Sequence, residues 1–435
     1  MQTARGIAAF VIAMLCAASC IAQRAPATAR NDVPAPVSVY DLELQATKAY
    51  DDKHYAESVK LFEEAFSNGL NRSDDAYSGA CSAALSGDRA KAIKYLQTAV
   101  RLGFHDPDHI KADADLESVR GDPGFAAVIE TAKANDRRYN QEHADPDRAG
   151  IITSDIDLFW AAYDHLKAAP DRAAVFDREY FARGSPGLQD FIFARIHSAS
   201  SLLKTIDKAP KYYEALRPTS HRIRDMVPGM RASFHKLKDL YAPAIFPDVY
   251  FLIGRMNSGG TTGPSGLLLG ADMFGKQPGV SLEELSEWHR TAVSSVEQIP
   301  PTVAHELIHY QQHAEGKTLL AQALVEGSAD FIGEMISSGK INQPIYEYGM
   351  KHEAELWSDF QKEMNGEDTS HWLYQGKTEN GRPADLAYFI GYRVSQAYYE
   401  GTRDKKKALS DILNFKDALV LLRESGYAER FKVNR

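Results

Sequence analysis

The stretch Pro300-Pro-Thr-Val-Ala-His305-Glu306-Leu-Ile-His309-Tyr-Gln-Gln-His-Ala-Glu-Gly316 decides how this protein is read. Proline suits the first turn of a helix and glycine its C-terminal stop, so the pattern predicts a helix from Pro301 to Gly316. Residues four apart share one face of a helix. His305 and His309 therefore turn two imidazoles toward one point, with Glu306 beside them and Val303, Leu307 and Ile308 on the buried sides. Two imidazoles at this spacing, with an adjacent carboxylate, suit a zinc ion and a general base for hydrolysis.

A catalytic zinc needs three protein ligands and an open position. The metzincin arrangement would put Gly and then His three and six residues past the second His, where this sequence has Gln312 and Glu315. The gluzincin arrangement takes its third ligand from a following helix. Leu324-Val-Glu326-Gly-Ser-Ala-Asp330 supplies it, with sixteen residues between His309 and Glu326. Asp330, one turn further on the same face, is expected to accept the second imidazole N–H of His305 and so fix its tautomer. The expected cofactor is Zn²⁺, with His305, His309 and Glu326 as ligands and Glu306 as base.

A developing oxyanion calls for one more donor. His352, His371, Tyr374, Tyr388, Tyr392 and Arg393 all qualify by type. Tyr392 is chosen because it follows Gly391 in the helical run Leu386–Tyr399, where a glycine signals close packing, with the motif helix as the expected neighbour. The competing reading of Tyr392 is an aromatic core residue.

Upstream of the motif, Asp248–Gly254 is a compact run of β-formers and predicts a strand. Past the flexible stretch Ser258–Ser265, the run Gly266–Asp272 predicts a second strand in the same sheet, with an edge able to take up an extended peptide. Earlier still, Ser154 or Asp155 caps an amphipathic helix bearing Phe159, Trp160, Tyr163 and Leu166, and helical segments follow through Phe191, Leu202, Tyr213 and Leu237. Residues 150–435 thus form the expected zinc peptidase-like domain, mainly α with a small sheet, an α+β fold.

Residues 39–135 carry a different pattern. Ala46 matches Ala80, Ala49 matches Ala83, Phe62 matches Leu96 and Ala65 matches Ala99, a period of 34 residues. That is the tetratricopeptide period, with small residues where antiparallel helices must approach closely. The stretch Asp106–Ala134, with Leu116, Val119, Phe125 and Val128, is the expected helical cap. Such repeats commonly bind peptides or proteins, and packing against the next domain is the plainer alternative. The polar stretch Asn135–Arg148 is the expected boundary.

At the N-terminus, Arg5 precedes the apolar run Gly6–Ala18, the layout of a secretory signal over residues 1–22, followed by a Pro- and Ala-rich linker over 23–38. Cleavage after Ala22 releases a freely soluble product. Cleavage before Cys20, at a loose lipoprotein box with Ala17 where Leu is usual, leaves a lipid anchor on Cys20. The expected location is the periplasm or the envelope surface. A product cut after Ala22 keeps Cys81 alone, which excludes an intramolecular disulfide. The 44% hydrophobic and 25% charged content is that of a soluble globular protein, and past the signal no apolar run reaches the roughly 20 residues of a membrane span. The net charge of −9 is spread along the sequence and argues against a nucleic-acid partner.

From about residue 150 onward the sequence resembles a bacterial family of predicted Zn-dependent proteases related to gliding-motility-type lipoproteins. The resemblance rests on Thr302–Gln312, Glu326-Gly-Ser-Ala-Asp330, the Gly-rich strand region before them and Tyr388-Phe-Ile-Gly-Tyr-Arg393 after them. It implies a gluzincin-like site and no particular substrate, and the repeats lie outside it. The expected function is zinc-dependent hydrolysis of peptide bonds in a peptide or protein substrate, with the repeats recruiting a protein partner. The alternative is a binding or assembly protein with a structural or vestigial zinc site, and hydrolysis of a non-peptide amide would use the same residues.

Overall fold

Alanines spaced 34 residues apart leave room for close helix pairing, and the helix boundaries follow the same spacing. In the computed structural model, which describes residues 39–375 and 381–432, helices Val39–Asp51 and Tyr55–Ser67 recur 34 residues later as Ser73–Leu85 and Arg89–Arg101. Ala46, Ala65, Ala80, Ala83 and Ala99 are fully buried, with Phe62 and Leu96 between them. Asp88 caps the fourth helix by accepting the Lys91 N–H at 3.0 Å. The signal, the linker and Cys20 lie outside the described residues.

The described residues divide into two units, one of residues 39–105 and 114–132, the other of 106–113 and everything from 133 on. Leu116, Val119, Phe125 and Val128 of the expected cap are buried. The division falls at Lys133, inside helix Pro123–Glu142 and two residues before the polar stretch begins at Asn135. The reason lies in backbone carbonyls. Those of His143, Pro146 and Ala149 are taken up by the Phe246 N–H and the Arg231 guanidinium of the later unit.

The later unit holds a four-stranded sheet in the order β1 (Ile151–Ile152), β2 (Val249–Leu252), β4 (Gly266–Gly270) and β3 (Thr261–Gly263). β2 pairs in parallel with β1 and β4, while β3 folds back antiparallel onto β4. The two expected strands pair as predicted. The stretch read as flexible contributes β3, so β3 and not Gly266–Asp272 is the free edge on that side. Every residue of β2 and β4 is buried, as expected for strands covered on both faces.

One side of this sheet rests on the aromatic core read from sequence. Phe159 packs against Trp160, Phe176, Tyr180 and Tyr213 at centroid separations of 4.9 to 6.4 Å. The tyrosines are more than filler: Tyr180 donates to the Ile253 carbonyl and Tyr213 to that of Gly254, at 2.9 and 2.7 Å. They pin the backbone where it leaves β2. Neither Ser154 nor Asp155 caps the helix Ser154–His165, because Asp155 turns inward to accept the Ser185 N–H. No helix among the described residues is long and apolar enough to cross a membrane.

Candidate metal centre

The motif helix runs from Ile299 to His309 and stops seven residues short of Gly316. Past Gln312 the backbone has better partners than a further turn: His313 and Glu315 donate to the carbonyls of Leu413 and Phe415 at 2.8 and 2.9 Å. The early stop frees the Gln312 side chain to fold back. Its Nε2 donates to the Val325 carbonyl and to Ser328, which aims its Oε1 at His309 Nδ1, 2.7 Å away. Sequence reasoning missed this role for Gln312, although it lies three residues beyond His309.

Glu326 and Asp330 sit on helix Leu319–Ser337, capped by Thr318. Asp330 Oδ1 lies 2.7 Å from His305 Nδ1, the pairing expected of it. Its other oxygen accepts from Asn342 and Tyr346 at 2.9 and 2.6 Å, two residues with no signal in the sequence. A carboxylate and an amide oxygen only accept, so both Nδ1 atoms carry protons and both Nε2 atoms are the positions where a cation would take the place of a proton.

Those two Nε2 atoms stand 3.0 Å apart, and Glu326 Oε2 lies 3.7 Å from one and 3.5 Å from the other. Three acceptors thus converge, all at most 7% exposed, and Glu326 Oε2 has no hydrogen-bond donor. Tetrahedral zinc bonds of about 2.0–2.1 Å place ligand atoms roughly 3.3 Å apart, a separation these three distances bracket. Such a trio asks for a cation at its centre. Burial opposes charge on both partners, yet mutual attraction holds Glu326 down to about 2 and pushes His309 up to about 9.

Glu306 projects from the same helix but is half-buried, with no hydrogen bond to the described residues. Its carboxylate lies against Gly260, where even a methyl group would come within 2.5 Å of Oε1. The stretch before β3 therefore passes directly over the Glu306 carboxylate. Tyr310 reaches the same edge by donating to the Gly263 carbonyl at 3.2 Å.

Tyr392 is not brought to His305, His309 and Glu326. Its hydroxyl donates to Glu334 at 3.2 Å and its ring packs on Phe331 and Tyr346. Gly391 does mark a close crossing, but against a different helix from the one expected. A Cβ on Gly391 would fall 1.6 Å from the Ala323 carbonyl oxygen, and one on Gly327 would fall 2.1 Å from the Tyr392 nitrogen. The helix Ala387–Gly401 is thereby locked onto the Glu326 helix, one turn out of phase for Tyr392 and in phase for Tyr388, whose ring stacks on His305. Tyr374 completes the surround by donating to Glu326 Oε1 at 3.0 Å. His352, His371 and Arg393 pair with Glu355, Glu363 and Glu353.

Comparison with known proteins gives one family. No curated protein and no solved structure matches this sequence. Residues 157–429 match the family model described as gliding motility protein GldB, a span that contains the sheet from β2 on, the motif helix, Glu326, Asp330 and Tyr374. This protein belongs to the GldB gliding motility protein family.

Proposed function

We propose that this protein is a zinc-dependent peptidase, exported and held at the cell envelope. The observation that carries the reading is the convergence of His305 Nε2, His309 Nε2 and Glu326 Oε2 next to an unpartnered Glu306 carboxylate. Three protein donors are the catalytic pattern, whereas structural zinc sites close with four. Zinc bound there would supply a Lewis acid for a carbonyl oxygen and lower the pKa of water into the neutral range.

The protein's own groups account for the rest. Glu306 takes the proton of the attacking water and returns it to the leaving nitrogen. Asp330 and Gln312 hold both imidazoles in the tautomer that leaves Nε2 free. Tyr374, whose O–H would turn from Glu326 to the developing oxyanion, replaces Tyr392 as the assigned donor. Burial, and then the charge of Glu326, push its phenol far above the ordinary value, so it remains a proton donor. The outer edge of β3 would give an extended substrate a strand to lie along beside Glu306.

Envelope attachment through Cys20 is the one of the two cleavage routes that membership in this family favours. The repeats and the motility description of the family also support a second reading, an assembly protein with a structural zinc. Chelator-sensitive cleavage of an unfolded protein by the purified enzyme supports the peptidase. A zinc-loaded protein that cleaves nothing in a broad peptide library, yet captures a partner through residues 39–135, supports the alternative.

A further inference from the structure

Beside Glu306 stands a group of cations that no described carboxylate pairs. Arg195 lies in the π-helical turn Ile192–Ile196, an irregularity that recurs at functional sites. The backbone then bends sharply at His197, whose φ of 69° is uncommon for any residue but glycine. Arg195 Nη2 donates to Thr261 Oγ1 on β3 at 3.0 Å and Nη1 to the Ala194 carbonyl, while Nε is buried without an acceptor. Thr261 follows Gly260, which touches the Glu306 carboxylate.

The opposite wall is the segment leaving β2. Arg255 Nη1 donates to the Ile196 carbonyl at 3.3 Å and its Nε is also buried without an acceptor. Asn257 Nδ2 donates to the Arg195 carbonyl at 3.0 Å, leaving its Oδ1 without a donor. His197 lies within the field of both guanidiniums: burial lowers its pKa first, then the charges of Arg255 and Arg195. Burial likewise pulls both arginines below their ordinary value, and the acid that opposes this at Arg195 is Glu306. Both side chains keep partial exposure, so the group opens to solvent.

An unpaired, half-desolvated guanidinium is costly to keep unless something repays it, and its planar fork fits a carboxylate. Two of them on adjoining backbone segments, one within the field of Glu306, do not serve stability. We propose that Arg195 and Arg255 form a recognition subsite for a substrate carboxylate, making the preferred substrates peptides with a free carboxylate close to the bond that Glu306 serves. This rests on the peptidase reading for the word substrate, and on the arginine geometry alone for the carboxylate. The C-terminus of a peptide and an acidic side chain present the same group.

The test is isothermal titration calorimetry on the full-length protein with Glu306→Gln, with and without chelator. The probes are N-acetyl-alanyl-alanine, its C-terminal amide, and N-acetyl-alanyl-glutamic acid α-amide. At least one acid should bind about tenfold more tightly than the neutral amide, and the better acid identifies terminal or side-chain recognition. Arg195→Gln and Arg255→Gln, each added to that background, should bring the preference to within about twofold, while melting temperature holds or rises because an unpaired charge has gone. If Arg195→Gln does not fold, Arg255→Gln carries the test.

Equal binding of all three probes, binding of none at about 10 mM, or a preference that survives both substitutions overturns the proposal. A fall in melting temperature with the preference intact assigns the arginines to structure and overturns it too. If wild type cleaves no peptide yet the arginine-dependent preference is present, the peptidase reading fails and this subsite stands. If wild type cleaves the neutral amide as readily as the acids and binds them alike, the reverse holds.

Discussion

His305, Glu306 and His309 are legible from sequence because one helix carries all three, and helical geometry alone aims the imidazoles together. Glu326 and Asp330 are legible for the same reason, being one turn apart on a second helix. Their supports are not, since Gln312, Asn342 and Tyr346 arrive by tertiary packing and the backbone at Asn342 is left-handed. Asp330→Asn keeps the shape and removes the charge facing His305 Nδ1, so zinc affinity should fall by about 10- to 100-fold. Competition with a chromogenic chelator measures it, and an unchanged affinity would detach Asp330 from the site. Tyr374 is one of six candidates by type. Nothing in the sequence ranks it, because it reaches Glu326 from a turn with φ of 60° at Tyr374 itself. Tyr374→Phe should lower kcat by about 10²-fold with zinc still bound, the loss expected for one oxyanion donor. A lost metal in that variant would instead mark Tyr374 as a support of Glu326.

At the level of elements, the two predicted strands and the motif helix exist where the residue pattern puts them, while ends and edges follow the partners available. The motif helix ends at His309 because Leu413 and Phe415 take up N–H groups just beyond it, a pairing across about 100 residues that no local pattern encodes. The Gly391 crossing shows the same limit: glycine announces close approach without naming the neighbour. Gly391→Ala drives a methyl group into the Ala323 backbone, so it should destabilise the fold by about 1–3 kcal/mol or more and weaken metal retention through the Glu326 helix. Thermal melting and metal analysis together check this. The loop after β2 has its own device, the buried carboxylate of Asp272, which accepts the N–H groups of Gly254 and Met256. Burial raises its pKa from 3.8 to about 6, against the pull of those N–H groups. The folded state then holds the proton more tightly than the unfolded one, so this group favours folding below about pH 4, and its contribution is lost as pH rises through about 6. Asp272→Asn should therefore flatten the pH dependence of the denaturation midpoint between about pH 4 and 6.5, with an effect on the order of 3 kcal/mol. An identical slope in the variant would contradict this.

For the whole molecule, the 34-residue repeat and the α+β class come directly from spacing, since repeated alanines and a switch to β-formers are local signals. The arginine subsite does not: Arg195 and Arg255 are some 60 positions apart and meet only because a π-helical turn faces the exit of β2. The route to the envelope is checked by Cys20→Ser. In the native host, wild type should incorporate labelled palmitate and sediment with membranes, and the variant should do neither; a wild type found only in the soluble fraction would favour cleavage after Ala22. Peptidase activity requires that the three converging atoms hold a metal. The most direct measurement is zinc content paired with cleavage of a broad peptide library, on wild type and on Glu306→Gln. About one zinc per molecule is expected in both proteins, with chelator-sensitive cleavage in wild type and a loss of about 10²- to 10⁴-fold in the variant. Full activity in Glu306→Gln, or a wild type that binds no zinc, would contradict the zinc peptidase reading.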